Sequence, residues 1–319
     1  MFIEFILFIA GLVALTLGAK WLVDGASSIA LSFGISPLIV GMSVIAFGTS
    51  MPEFIFNLTS ANSGSSDLAV GNVVGSNIAN IALILGLTAL LQPVKIPELL
   101  VKREYLFMVL TTILFVAISF DGEIDRIDGI ILVLIFIGFI YWLFKSGNVI
   151  DDDDIHNVAE KSNSNWLKNG SFIFLGLLGL LYGAHLMVTS STHIALQFGI
   201  SEMVIGVTIV AIGTSLPELA ASMAAVIKRH HDMSIGNIIG SNIFNILFVI
   251  GFVTILAPIS IIDAWTVPFH MLVMIIIVLS VLPFYFISKK IGKLGSLSLL
   301  AMYSTYLFLC YRITATGGL

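Results

Sequence analysis

The chain has 319 residues, 58% of them hydrophobic and 10% charged, with a net charge of −5 and a mean hydropathy of +1.08. A soluble chain carries about 25% charged residues, so this one cannot cover its surface against water, and soluble enzymes, nucleic-acid binders and disordered chains are largely ruled out. No basic footprint for nucleic acid is present, and the single cysteine, Cys310, leaves no internal disulfide or CxxC metal site.

The first segment, MFIEFILFIAGLVALTLGAKWLVDG, carries Glu4 and no basic start. It runs too long for the apolar part of a signal peptide and reads as a membrane span. A helix crosses a bilayer with about 20 mostly apolar residues. Ten stretches satisfy that length, near 3–22, 37–61, 69–91, 104–120, 128–145, 171–192, 202–227, 234–257, 265–287 and 294–313. Connections are short except at 145–169, where Asp151, Asp152, Asp153 and Asp154 are followed by Asn and Ser. That stretch reads as a solvated linker. The predicted fold is therefore an all-α polytopic membrane protein, with five helices in 1–144 and five in 170–319.

The halves share sequence. GMSVIAFGTSMPEF from Gly41 matches GVTIVAIGTSLPEL from Gly206, and GNVVGSNIANI from Gly71 matches GNIIGSNIFNI from Gly236. Both pairs are 165 residues apart, and residues 41–86 and 206–251 share 17 identities over 46 positions without a gap. This is an internal duplication. Five spans per half is an odd number, so the second copy must run inverted to the first, the architecture of many secondary transporters. Placing the N-terminus outside puts 12 of the 14 Lys and Arg residues on the inner side, leaving Arg126 and Arg312 outside. By the positive-inside rule both termini face out and the linker faces the cytoplasm.

Two carboxylates fall well inside apolar spans, Glu53 and Glu218, each in GTSxPE. A charge at that depth costs at least a few kcal/mol and marks function by default. Thr49 and Thr214 stand four residues before them, on the same helical face. Asn72, Ser76 and Asn80, and their copies Asn237, Ser241 and Asn245, repeat at four-residue steps as polar stripes between the GxxxG glycines. A proline inside a helix releases the carbonyl four residues earlier. Pro52 and Pro217 are thus expected to free Gly48 and Gly213 and to disturb Ala46, Thr49, Ala211 and Thr214. All these donors are oxygen, which argues against zinc, copper or nickel and for hard cations. Ca²⁺ accepts six to eight such ligands, and two ionised Glu balance one Ca²⁺ or two monovalent ions.

GTSxPE followed by GNxxGSNxxNI, present twice in inverted halves, resembles the sodium/calcium exchanger branch of the cation/calcium antiporter superfamily, in its compact prokaryotic form. The resemblance implies Na⁺/Ca²⁺ antiport by alternating access in a prokaryotic plasma membrane, with Ca²⁺ and Na⁺ as transported ions and no cofactor or enzymatic reaction. By motif position it implies ligands at Thr49, Ser50, Glu53, Ser76 and Asn80 with the Ala46 carbonyl, and at Thr214, Ser215, Glu218, Ser241 and Asn245 with the Ala211 carbonyl. It further implies that the helices near 3–22 and 171–192 slide as a gate, a movement that Gly11, Gly18, Gly176, Gly179 and Gly183 would ease. The sequence departs from the family at Asn245, where many members have Asp. That leaves two Glu with two Asn and puts the coupling ion at issue.

Two other readings compete. A proton/calcium antiporter would use the same two Glu, although such proteins carry GNxxE motifs in place of GTSxPE. A sodium-coupled organic-anion symporter would need a cationic site, and no Lys or Arg lies in the motif spans. Neither a pair of Asp nor Ser with His occurs there to support an intramembrane protease.

Overall fold

The computed structural model describes residues 2–146, 166–198, 211–261 and 266–316. The linker acids Asp151 to Asp154 lie outside the described residues. Helix α1 (Phe2–Phe33) leads into α2 (Pro37–Thr49) and α3 (Met51–Asn62), which meet at a 43° bend. Next come α4 (Ser66–Leu91), strand β1 (Val94–Lys95), α5 (Leu106–Ile118), β2 (Glu123–Ile124) and α6 (Arg126–Lys145). The second half contributes α7 (Trp166–Gln197), α8 (Ala211–Thr214), α9 (Leu216–Ile227), α10 (His231–Leu256) and β3 (Ile259–Ser260). It ends with α11 (Pro268–Ser288), β4 (Lys290–Ile291) and α12 (Lys293–Thr316). Seven of the described helices are long and apolar enough to cross a membrane, or eight if α2 and α3 form one bent span.

Helices α1 and α7 each run to 32 residues, past the ends expected from hydropathy. The extra turns of α1 are rich in Ala and Ser, and those of α7 include Lys168, Asn169, His193 and Gln197, residues too polar or too weakly apolar to register on a bilayer ruler yet compatible with a helix. The two helices pack on each other through glycine. A Cβ at Gly11 would stand 2.8 Å from the Gly183 carbonyl, one at Gly18 2.7 Å from the Gly176 carbonyl, and one at Gly25 2.7 Å from the Asn169 carbonyl. Each step of seven up α1 is a step of seven down α7, so the helices are antiparallel. Small residues allow this backbone-to-backbone approach.

The main apolar core lies elsewhere, among α4, α5, α6, α10, α11 and α12, with Ile78, Met108, Phe115, Leu132, Ile246 and Met274 fully buried. A second, smaller core joins α1 and α7 to Val40 and Ile45 of α2 and to Ala221 and Ala225 of α9. Outward faces carry large apolar side chains, among them Phe5, Leu134, Ile137, Phe174 and Phe308, as a lipid-facing surface requires. The strands form two short antiparallel pairs. β1 joins β4 (Val94 opposite Ile291) and β2 joins β3 (Ile124 opposite Ile259).

Candidate ion site

The bend between α2 and α3 falls at Ser50, which has non-helical backbone angles. Pro52 therefore does not kink a continuous helix, as the sequence suggests. It occupies the first turn of α3, and Pro217 likewise the first turn of α9, where a missing N–H costs nothing. The Ala46 carbonyl is engaged by the Ser50 amide at 3.0 Å, so the break does not leave it bare. Ala211 is the first described residue of α8.

Helices α4 and α10 depart from α-helical bonding at equivalent places. A π segment spans Asn80–Ile84 in α4 and Phe244–Ile250 in α10. Insertions of this kind inside α-helices concentrate at functional sites, and each includes the last Asn of its polar stripe, Asn80 or Asn245. Helix α10 also presses on α2. A Cβ at Gly240 would lie 2.7 Å from Met42 Cα, so the GxxxG pattern brings the second stripe against the first half.

The predicted carboxylates are buried, Glu53 at 0% and Glu218 at 1% exposure. The hydrogen bonds around them cross between the halves at every contact but that of Ser76 with Glu53. Ser50 Oγ donates to Glu218 Oε1 at 3.1 Å. Ser76 Oγ donates to Glu53 Oε1 at 3.4 Å, and Ser215 Oγ donates to Ser76 Oγ at 3.4 Å. Thr49 Oγ1 lies 3.4 Å from Asn237 Oδ1, and Asn72 Nδ2 donates to Thr214 Oγ1 at 3.3 Å. Seven of the twelve candidate residues, with Asn72 and Asn237, are thereby hydrogen-bonded to one another. Among the described residues no group of three or more His, Cys, Asp or Glu that could hold a metal ion occurs.

Several of these atoms have no hydrogen-bond partner among the described residues although they are buried. They are Glu53 Oε2, Glu218 Oε2, both amide atoms of Asn80, Ser241 Oγ and Asn245 Oδ1. A buried polar atom without a partner costs about 1–3 kcal/mol, more if charged. Five of the six, all but Asn80 Nδ2, are oxygens on α3, α4, α9 and α10, an arrangement that a hard cation, bound through oxygen, would relieve.

Two further layers were not singled out by sequence reasoning. Asn57 and Ser222 stand four residues beyond the two Glu. Asn57 Nδ2 donates to the Glu53 carbonyl at 2.6 Å and to Asn72 Oδ1 at 3.0 Å, and Asn237 Nδ2 donates to Ser222 Oγ at 2.9 Å. These bonds brace each Glu-bearing helix against the stripe beside it. The second layer is Asn77 and Asn242, the Asn of GSN in each motif, both fully buried. Asn57 and Ser222 differ in type and escape a search for identities. Asn77 and Asn242 lie one residue off the four-residue stripe; their recurrence in both motif copies was the available signal.

A family profile described as sodium/calcium exchanger protein matches residues 3–145 and 169–312. The chain is 36% identical over 258 residues to the inner membrane protein YrbG of Escherichia coli, covering 79% of each chain. It is 30% identical to the sodium/calcium exchanger MaX1 of Methanosarcina acetivorans over 98% of this chain and 99% of that one. A solved structure of the sodium-calcium exchanger NCX_Mj, soaked with Na⁺ and Ca²⁺, superposes with a TM-score of 0.83 at 33% identity, covering 95% of this chain and 97% of that one.

Proposed function

We propose, because the chain belongs to the sodium/calcium exchanger family of multi-pass membrane antiporters, that it expels Ca²⁺ in exchange for entering Na⁺ at a site built on Glu53 and Glu218. The observation that carries this reading is the pair of buried carboxylates, each with one oxygen unpartnered, on helices related by the duplication. Thr49, Ser50, Ser76 and Asn80, with Thr214, Ser215, Ser241 and Asn245, complete the ligand set, joined by the carbonyls of Ala46 and Ala211. Two carboxylates supply two negative charges, which one Ca²⁺ or two Na⁺ neutralise. An empty site with both Glu ionised is electrostatically poor in a dry interior, so the site crosses the membrane loaded with one ion species or the other. That requirement couples the two fluxes.

The chain is read as ten spans in two inverted halves, 1–144 and 170–319, joined by a cytoplasmic linker at 145–169, with both termini outside a prokaryotic plasma membrane. Two features support the inversion. The first helices of the halves, α1 and α7, pack antiparallel. The strand pairs obey the same exchange: β1 and β3 lie 165 residues apart, and swapping the halves carries the β1–β4 pair onto β3–β2. β1 and β2 flank α5, so the two pairs belong to opposite faces of the membrane. With the N-terminus outside, Lys95 and Lys290 of the β1–β4 pair fall on the inner face, as the charge asymmetry requires.

The test is ⁴⁵Ca²⁺ uptake into proteoliposomes loaded with Na⁺, compared with K⁺ loading and with an imposed pH gradient. Uptake is expected with the outward Na⁺ gradient and not with K⁺. Uptake driven by the proton gradient alone would replace Na⁺ by H⁺ as the coupling ion, and no uptake under any gradient would overturn the antiport assignment.

A further inference from the structure

We infer that Asn77, which has no ligand role in the site above, is the positioning residue that turns the Asn245 amide so that its carbonyl oxygen serves the ions. The inference rests on the ion-site reading just proposed. An amide side chain has an acceptor end and a donor end of nearly identical shape. Only the acceptor end binds a cation; the wrong rotamer presents two N–H groups to it. An Asn ligand therefore works only if something fixes which way it faces, whereas an Asp offers oxygen at both ends.

The hydrogen bonds around Asn77 supply that control in three steps. Asn77 Nδ2 donates to the backbone carbonyl of Asn242 at 3.4 Å. A backbone carbonyl only accepts, so this contact fixes Nδ2 of Asn77 on that side and turns its Oδ1 the other way. Asn77 Oδ1 then meets Asn245 at 3.1 Å and accepts from Nδ2, because an oxygen there admits only a donor. The remaining end of Asn245 is Oδ1, which is buried and has no partner. Polarity is thus passed from the α10 backbone, across Asn77 of α4, back to the side chain of α10.

The duplicated positions behave differently. Asn242, the copy of Asn77, spends its Nδ2 on the Ile238 carbonyl of its own helix at 2.7 Å. Asn80, the copy of Asn245, has neither amide atom partnered. Of the two stripe-ending amides, Asn245 is held and Asn80 is not. All four side chains are buried, with exposures of 1% or less, so water does not set their orientation in place of the protein.

The experiment is Na⁺-driven ⁴⁵Ca²⁺ uptake by the full chain in proteoliposomes, reading apparent KM and maximal rate separately. Four proteins form a cycle: wild type, Asn77→Leu, Asn245→Asp and the double variant. In the wild-type background Asn77→Leu is expected to raise the KM for Ca²⁺ about tenfold, the scale of one lost hydrogen bond to a ligand, with the maximal rate retained. In the Asn245→Asp background the same change is expected to shift KM less than about twofold, since a carboxylate needs no orienting. A loss of equal size in both backgrounds, or no loss in either, overturns the proposal and makes Asn77 a packing residue. If leucine prevents folding, Asn77→Ala poses the same question with less volume. Asn245→Ala separates the two levels: unchanged Na⁺ and Ca²⁺ dependence there removes Asn245 from the ion site altogether. Altered dependence there, without the background effect at Asn77, removes only the positioning role.

Discussion

Two pairs of repeat-related helices meet across the molecule, and they meet in opposite ways. Helices α4 and α10 are central: 78% and 83% of their most apolar windows are buried, against 22% for each of α1 and α7. Where the central pair meets, Asn77 bonds to both Asn242 and Asn245, and buried amide and hydroxyl atoms on the two helices have bonding capacity left over. The outer pair meets backbone against backbone, through glycines that leave no polar side chain in the middle of the seam. One duplication has thus produced a layer rich in unsatisfied oxygen and a seam built mainly on close approach, with one polar contact, His193 with Glu4, near its end. The first is suited to binding and the second to holding two long helices together as a unit.

The largest expected effect tests the polar layer. Glu53→Gln or Glu218→Gln removes one of two charges from a buried site, a change worth several kcal/mol in the presence of the ion. Ca²⁺ flux in proteoliposomes is expected to fall roughly a hundredfold or more, while the melting temperature of the purified protein stays near wild type. Near-normal flux in either variant breaks the assignment of the site. The seam should show the converse pattern. Gly183→Ala places a methyl group 2.5 Å from the Leu15 amide nitrogen, a backbone atom that cannot move aside alone. Forcing the helices apart is expected to cost about 1–3 kcal/mol, read as a lowered melting temperature. Gly138→Ala and Gly170→Ala meet open space and serve as controls, expected to leave stability unchanged or slightly raised. Equal melting for Gly183→Ala and the controls would dissolve the contrast between seam and surface.

The difference between the two regions also explains what the sequence made legible. Deeply placed Glu53 and Glu218, and stripes recurring at four-residue steps, stand out against an apolar background, so the polar layer was readable in outline. Its bracing was less so. Asn57 and Ser222 perform equivalent jobs with different side chains, and Asn77 acts from a position one residue away from the stripe. The glycines of the seam were visible, but glycine is common in membrane helices. Only the antiparallel register, Gly11 with Gly183 and Gly18 with Gly176, shows that they face each other. The break at Ser50 was not legible for a local reason: a proline in sequence reads equally as a kink within one helix or as the first turn of the next.

A smaller effect is expected at Asn245, where the resemblance to the family leads one to expect Asp. Asn245→Asp adds a titratable group beside the two Glu while keeping an oxygen ligand in place. The Na⁺ dependence and the pH dependence of exchange are both expected to change, with the apparent Ca²⁺ affinity moving less than about tenfold. Measuring initial ⁴⁵Ca²⁺ uptake against Na⁺ concentration at several pH values checks this. Unchanged profiles would mean that position 245 contributes to Ca²⁺ binding alone.

The smallest effect concerns where the outer pair is fastened to the rest. Lys228, the residue that caps α9 at its C-terminus, reaches α1. Its Nζ donates to the Lys20 carbonyl at 3.1 Å and pairs with the Asp24 carboxylate. The contact has no counterpart in the duplicated position, where Ser63 and Thr189 stand in place of Lys228 and Asp24. The seam between α1 and α7 is symmetric, but this attachment of α1 to the Glu218-bearing helix is not. With 24% and 40% of the two side chains exposed, the pair is worth at most about 1 kcal/mol and is weakened by salt. Lys228→Met is therefore expected to lower the melting temperature by a few degrees in dilute buffer. The difference should vanish at high ionic strength set with choline chloride, which adds no transported ion. A difference that persists in concentrated salt would mean that the Lys20 carbonyl and the packing of the lysine stem, rather than the charge pair, hold α1 to α9.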